Sequence, residues 1–179
     1  MKNAKKYMYI FIAYILLIVV LYAVDANRYA QKTYYEQKEM TTNFGAITKE
    51  INVIEEFQCK EDISSIDLVF GTYNKKNTNN VIVQVKEDLS SNETLVSKTF
   101  NMKNIKDNVP YRVDISLENI KDKKLYLIIT TDTMDEGNTI TLWHGKKKSK
   151  DSKLFINSDE IDGELKFSLN KKQKKGIRW

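Results

Sequence analysis

The chain is 179 residues long and carries 29 basic and 24 acidic residues, one histidine and one cysteine. That length provides for one domain of the common size, about 100–150 residues, and leaves no room for a second core. Eight of the basic residues sit at the two ends, so 21 remain against 24 acidic ones in the body, which excludes a nucleic-acid-binding face.

In chain order, residues 1–6 form a short basic N-terminus with Lys2, Lys5 and Lys6. Residues 7–24 read YMYIFIAYILLIVVLYAV, without a charge or a helix breaker. At about 1.5 Å per residue this run nearly matches a hydrocarbon core of about 30 Å, which predicts one transmembrane helix. Tyr7, Tyr9 and Tyr22 fall where amphipathic rings prefer the headgroup level, while Tyr14 lies mid-span and faces a partner or lipid. The unopposed lysines before the run place the N-terminus in the cytoplasm and the rest of the chain outside, as a single-pass protein of the cell membrane with the bilayer as its first partner. Cleavage of a signal peptide near Val24, Asp25 and Ala26 is the alternative reading; both export the remainder of the chain.

Residues 25–45 have good helix formers and no alternation, which predicts a helical stalk. From residue 46 to 170 the hydrophobic period becomes two, the pattern of strands with one buried face. Ile51, Val53, Phe57 and Cys59 alternate with polar residues, with Glu55 as the one charged interruption. The same alternation recurs around Ile66, Leu68 and Phe70, around Val81, Val83 and Val85, and from Tyr111 to Leu117. Further strands are predicted at 95–100, 125–131, 138–144, 153–156 and 164–169. Residues 125–129, LYLII, are apolar on both faces and predict a central strand covered on both sides. Eight or nine strands without helices between them predict an all-β fold, an antiparallel β-sandwich that is jelly-roll-like. Residues 171–179 form a basic tail.

Little in this pattern points to catalysis. Cys59 alone supplies neither a disulfide, a thiolate zinc site nor a C-x-x-C pair, and its alternation makes it a small buried hydrophobe. His144 alternates with Ile140 and Leu142, so a hydrogen-bonded structural histidine is the default against a general base, and no nucleophile-elbow sequence accompanies it. Asp132, Asp135 and Glu136 form one carboxylate group; Asp159, Glu160, Asp162 and Glu164 form another. Paired carboxylates perform glycosidic acid–base chemistry, but both groups surround glycine turns, where solvated side chains are the default. Calcium suits hard oxygen ligands on the 132–138 loop, yet the alternating register of a calcium loop is missing. The expectation is a non-enzyme without cofactor or metal.

Seven stretches carry a resemblance, in order along the exported part: FQC at 57–59, SSID at 64–67, FGTYNKKNT at 70–78, IKDN at 105–108, EGNTITLW at 136–143, LFIN at 154–157 and DGEL at 162–165. Here the domain resembles β-sandwich modules found beside, or fused to, polytopic glycosyltransferases and other membrane proteins of Gram-positive bacteria. Their members look like carbohydrate-binding jelly rolls. The resemblance implies a role with cell-envelope glycans or with an integral membrane glycosyltransferase, either as a glycan-binding accessory or as a structural subunit without glycan contact. With one span and no transferase region, this chain does not inherit the enzymatic activity of larger members.

Two surfaces are candidate sites. Trp143 lies on the strand face opposite Ile140 and Leu142, available to stack on a sugar with Tyr73 and Asn74 beside it, or to pack against the second sheet. Lys146, Lys147, Lys148 and Lys150 form a basic loop, and Lys174 and Lys175 belong to the basic tail that ends at Trp179. These lysines are either solvated charge or contacts to an anionic polymer or headgroup surface.

Overall fold

The computed structural model describes residues 2–26 and 29–174, with side chains described for 7–21 and 30–173. Two compact units divide the chain, one of residues 33–171 and one of residues 1–32 with 172–179. In the smaller unit, helix α1 runs Lys2–Ala26. Every side chain described in it is exposed, Tyr7 at 70%, Phe11 at 64% and Leu21 at 60% among them. Among the described residues, no helix is long and apolar enough to cross a membrane.

The larger unit is an all-β sandwich of two antiparallel sheets, two of whose strands, the first and the last, run on into residues of the smaller unit. The first holds β1 (Tyr29–Glu36), β2 (Thr42–Asn43), β4 (Ile63–Gly71), β7 (Pro110–Leu117), β9 (Thr141–Gly145), β12 (Glu164–Leu165) and β13 (Phe167–Lys174). The second runs β11 (Asp159–Ile161), β10 (Lys153–Ile156), β3 (Val53–Gln58), β8 (Lys124–Thr131), β5 (Asn80–Lys86), β6 (Val96–Asn101). In the first sheet β4 is the hub. It pairs with β7 along most of its length, with β13 over residues 65–68 and with β9 at Phe70 and Gly71. β9 in turn pairs with β2 at Thr42 and Asn43 and with β12 at Glu164 and Leu165.

Alternation decides which side chains fill the space between the sheets. Val81, Val83 and Val85 of β5 and Leu125, Leu127 and Ile129 of β8 are at most 1% exposed, and Ile66, Leu68 and Phe70 of β4 oppose them as part of one core. Burying each such side chain contributes about 1.5–3 kcal/mol, which is why the period-two pattern fixes the register. Phe70 meets Phe100 and Tyr111 edge-on, and Phe167 lies between Phe57 and Tyr35.

Several expectations need correction. The predicted helical stalk over 25–45 is helical only to Ala26; residues 29–36 are strand β1, paired with β13. The cause is a partner more than a hundred residues away, which local helix propensity does not sense. Tyr34 and Tyr35 pack on the core, and Gln37, 2% exposed, donates its backbone N–H to Phe167 O at 3.0 Å. β8 is central, between β3 and β5, but only one face is fully covered, since Tyr126 and Ile128 are half-buried. The strand predicted from 138 starts at Thr141, after a 3-10 turn at Glu136–Asn138 that Asp135 caps by accepting from Gly137 N. The strand predicted at 164–169 is divided at Lys166 into β12 and β13; Lys166 N donates to Trp143 O of β9, the partner of β12, at 2.7 Å. β13 continues past Asn170 to Lys174, so the first residues of the predicted tail belong to the sheet.

Candidate functional site

One end of the first sheet gathers the 70–75 turn, the 105–109 loop and β9. Thr72 donates its N–H and its hydroxyl to Asp107 Oδ1 at 2.5 and 2.9 Å. Asn108 donates its N–H to Phe70 O at 2.8 Å and its side-chain amide to Asp107 Oδ2 at 2.8 Å, while its Oδ1 accepts the Trp143 indole N–H at 2.9 Å. Gly71 makes this closeness possible: a Cβ there would lie 2.7 Å from Thr141 Cγ2 and 3.3 Å from Trp143 Nε1. Trp143 is therefore half-buried on the face turned away from core-facing Leu142, and a loop orients it, not the second sheet.

Tyr73 and Asn74 lie in the same turn, both exposed and both in the left-handed region, at φ 56° and 55°. For tyrosine this backbone costs about 1 kcal/mol or more and persists because the turn around it is fixed. That fixing comes from Lys75 N donating to Thr72 O at 3.0 Å and Asn77 Nδ2 donating to the same oxygen at 3.3 Å. Among the described residues the side chains of Tyr73 and Asn74 make no hydrogen bond, so both point their polar groups to solvent. The structure thus joins Trp143 to Asn108 and Asp107, two residues of the IKDN stretch that the sequence does not single out as a site, and leaves Tyr73 and Asn74 uncommitted in the adjoining turn.

The 145–152 loop is held by side chains that engage its backbone. Glu39 Oε2 accepts from Lys146 N at 2.9 Å, and Gln37 Nε2 donates to Lys146 O at 2.7 Å. Glu164 Oε2 accepts from Lys148 N and Ser149 N at 2.7 and 3.0 Å. Farther along, Ser152 donates its hydroxyl to Glu55 Oε1, and Glu55 Oε2 accepts from Leu165 N at 3.0 Å. Lys148 donates its ammonium to Glu36 O at 2.7 Å and lies over the Tyr35 ring. Lys146, Lys147, Lys148 and Lys150 are all exposed. Lys174 ends β13, its side chain outside the described ones, and Lys175 lies outside the described residues, as do Arg178 and Trp179.

Two carboxylates are buried, and for Glu164 this differs from the solvated turn residue expected of it. Glu55 and Glu164 are both 0% exposed. Burial pushes the Glu55 carboxyl up to about 8, against the lowering effect of its bonds to Ser152 and Leu165 and of nearby Lys147. Burial likewise raises Glu164, although two backbone N–H groups favour its charged form. Among the described residues, Glu164 Oε1 and the Tyr35 hydroxyl have no hydrogen-bond partner. Asp159 and Glu160 are in β11 and exposed, with Glu160 3.5 Å from Lys153.

The remaining candidates have structural partners. His144 is half-buried with its ring 4.8 Å from that of Phe44, and burial lowers its pKa, partly opposed by Asp162. Asp132 accepts from the backbone and side-chain amides of Asn80 at 2.8 and 2.7 Å. Asn138 exchanges bonds with Thr78. Among the described residues no three His, Cys, Asp or Glu side chains form a group that could hold a metal ion. Cys59 is fully buried, and burial, with Asp62 nearby, pushes its thiol up to about 12. No known protein family, no curated relative and no solved structure matches this chain.

Proposed function

We propose that this protein is a membrane-anchored, non-catalytic β-sandwich displayed on the extracytoplasmic side, where it binds an envelope glycan in support of cell-envelope glycosylation. The observation that carries the anchor is α1: every side chain described in its apolar run is solvent-exposed on all faces, a surface that water disfavours and hydrocarbon accepts. The orientation rests on Lys2, Lys5 and Lys6 ahead of that run. The strand pairings β2-β9-β4-β7 and β3-β8-β5-β6 fit a jelly roll, with β10 and β11 extending one sheet and β1, β12 and β13 added to the other.

The glycan reading is supported by a turn that holds Tyr73 and Asn74 outward beside an indole whose N–H is already fixed by Asn108. An immobilised ring next to free polar groups is how a sandwich loop stacks on a sugar and bonds its hydroxyls. A second reading, a structural subunit of a polytopic glycosyltransferase, is favoured by Tyr14, a polar ring in the middle of the apolar run that a neighbouring helix would satisfy. Detergent-solubilised full chain applied to an array of envelope glycans tests the first reading. It expects a bound saccharide whose retention is lost in Tyr73→Ala and Trp143→Ala; absence of binding to all of them, with a glycosyltransferase co-purifying through residues 7–24, supports the second.

A further inference from the structure

We infer that the 145–152 loop is a preorganised binding site for a soluble phosphate polyanion, with Glu39 as its positioning residue. A flexible run of lysines is ordinary solvated charge; this one is not flexible. Its backbone is tied at Lys146 to Glu39 and Gln37 and at Lys148 and Ser149 to Glu164, and the Ser152 hydroxyl is bonded to Glu55. Those acidic groups take main-chain N–H groups or a hydroxyl and form no ion pair with the ammonium groups of the loop. Lys146, Lys147 and Lys150 consequently make no ion pair or hydrogen bond through their side chains among the described residues.

The carboxylates around the loop are engaged by other groups: Glu39 and Glu164 accept backbone N–H groups, Glu55 is buried with Lys147 nearby, Glu160 is 3.5 Å from Lys153, and Asp151 is the one on the loop itself. Three free ammonium groups on a fixed backbone meet an array of phosphates without the ordering cost that a mobile loop would bear. The occupant is a soluble polymer rather than a bilayer surface, because no large hydrophobic side chain between residues 145 and 163 is exposed to enter the headgroup layer. This inference stands apart from the glycan reading, which uses Tyr73 and Trp143.

Long-chain inorganic polyphosphate titrated into the full chain in neutral detergent provides the test. Binding is expected to weaken with added salt. The combined Lys146→Gln, Lys147→Gln and Lys150→Gln variant should bind about 100-fold more weakly, at about fivefold per lysine. The decisive variant is Glu39→Ala, which removes a negative charge next to the lysines but also the acceptor that holds Lys146. Positioning predicts weaker binding by several-fold, whereas charge alone predicts tighter binding. Glu39→Gln, which keeps an acceptor, should bind at least as well as the native chain. Tighter binding by Glu39→Ala, native binding by the triple variant, or loop-dependent capture of phosphatidylglycerol vesicles but not polyphosphate would each overturn the inference.

Discussion

Replacing Glu55 by Gln should make the domain more stable at neutral pH and flatten its pH dependence. Glu55 is fully buried between Ser152 and the Leu165 amide, and its folded pKa of about 8 lies above the ordinary value of 4.5. The folded state therefore holds a proton that the unfolded state releases above pH 4.5. The resulting stability is complete below pH 4.5 and is lost as pH rises towards 8. At about 1.4 kcal/mol per tenfold in proton affinity, the loss reaches about 3 kcal/mol at pH 7 and about 5 kcal/mol above pH 8, a large share of a typical domain's 5–15 kcal/mol. Glutamine reproduces the shape of the protonated acid, accepting from Leu165 N and donating to the Ser152 hydroxyl, and has nothing to titrate. Urea unfolding of both chains at half-unit steps from pH 4.5 to 8.5, followed by circular dichroism, reads the difference. His144, whose lowered pKa works in the opposite direction below pH 6.5, cancels in the comparison. A stability difference between the two chains that stays constant over this pH range would refute the reasoning.

Other substitutions test packing and the site. Leu127→Ala empties the centre of β8 and should cost about 2–5 kcal/mol in the same denaturation assay. Gly163→Ala forces a side chain onto a backbone at φ 130° and places its Cβ 2.8 Å from His144 Nδ1 and 2.9 Å from Gly145 O; a loss of about 1–3 kcal/mol is expected, with calorimetry as the check. Asn108→Ala removes the acceptor of the Trp143 indole and should cost about 1 kcal/mol while shifting Trp143 fluorescence to the red, an effect that Asn74→Ala should not reproduce.

The sandwich was legible because burial imposes alternation: Val81, Val83 and Val85, or Val113, Ile115 and Leu117, announce a covered face whatever their partners are. What escaped reading depended on distant pairing. β1 has the composition of a helix, and only β13 makes it a strand. Glu164 comes after Asp162 and Gly163 like a turn residue, yet it is fully buried because the basic loop folds back over it and supplies two N–H donors. Glu55 was visible as a charge on an apolar face, but Ser152, its partner 97 residues on, was not. Trp143 was found by its place on the strand; its fixing by Asn108 had no signal beyond a turn-forming Asp-Asn pair.

The claim that organises the rest is that the sandwich lies outside the cell, tethered by residues 7–24. Intact cells producing the chain with a C-terminal epitope, treated with external protease and then blotted, test it most directly. The account predicts that the epitope is lost before lysis while a cytoplasmic control protein survives; an epitope that stays intact until the cells are opened would contradict it.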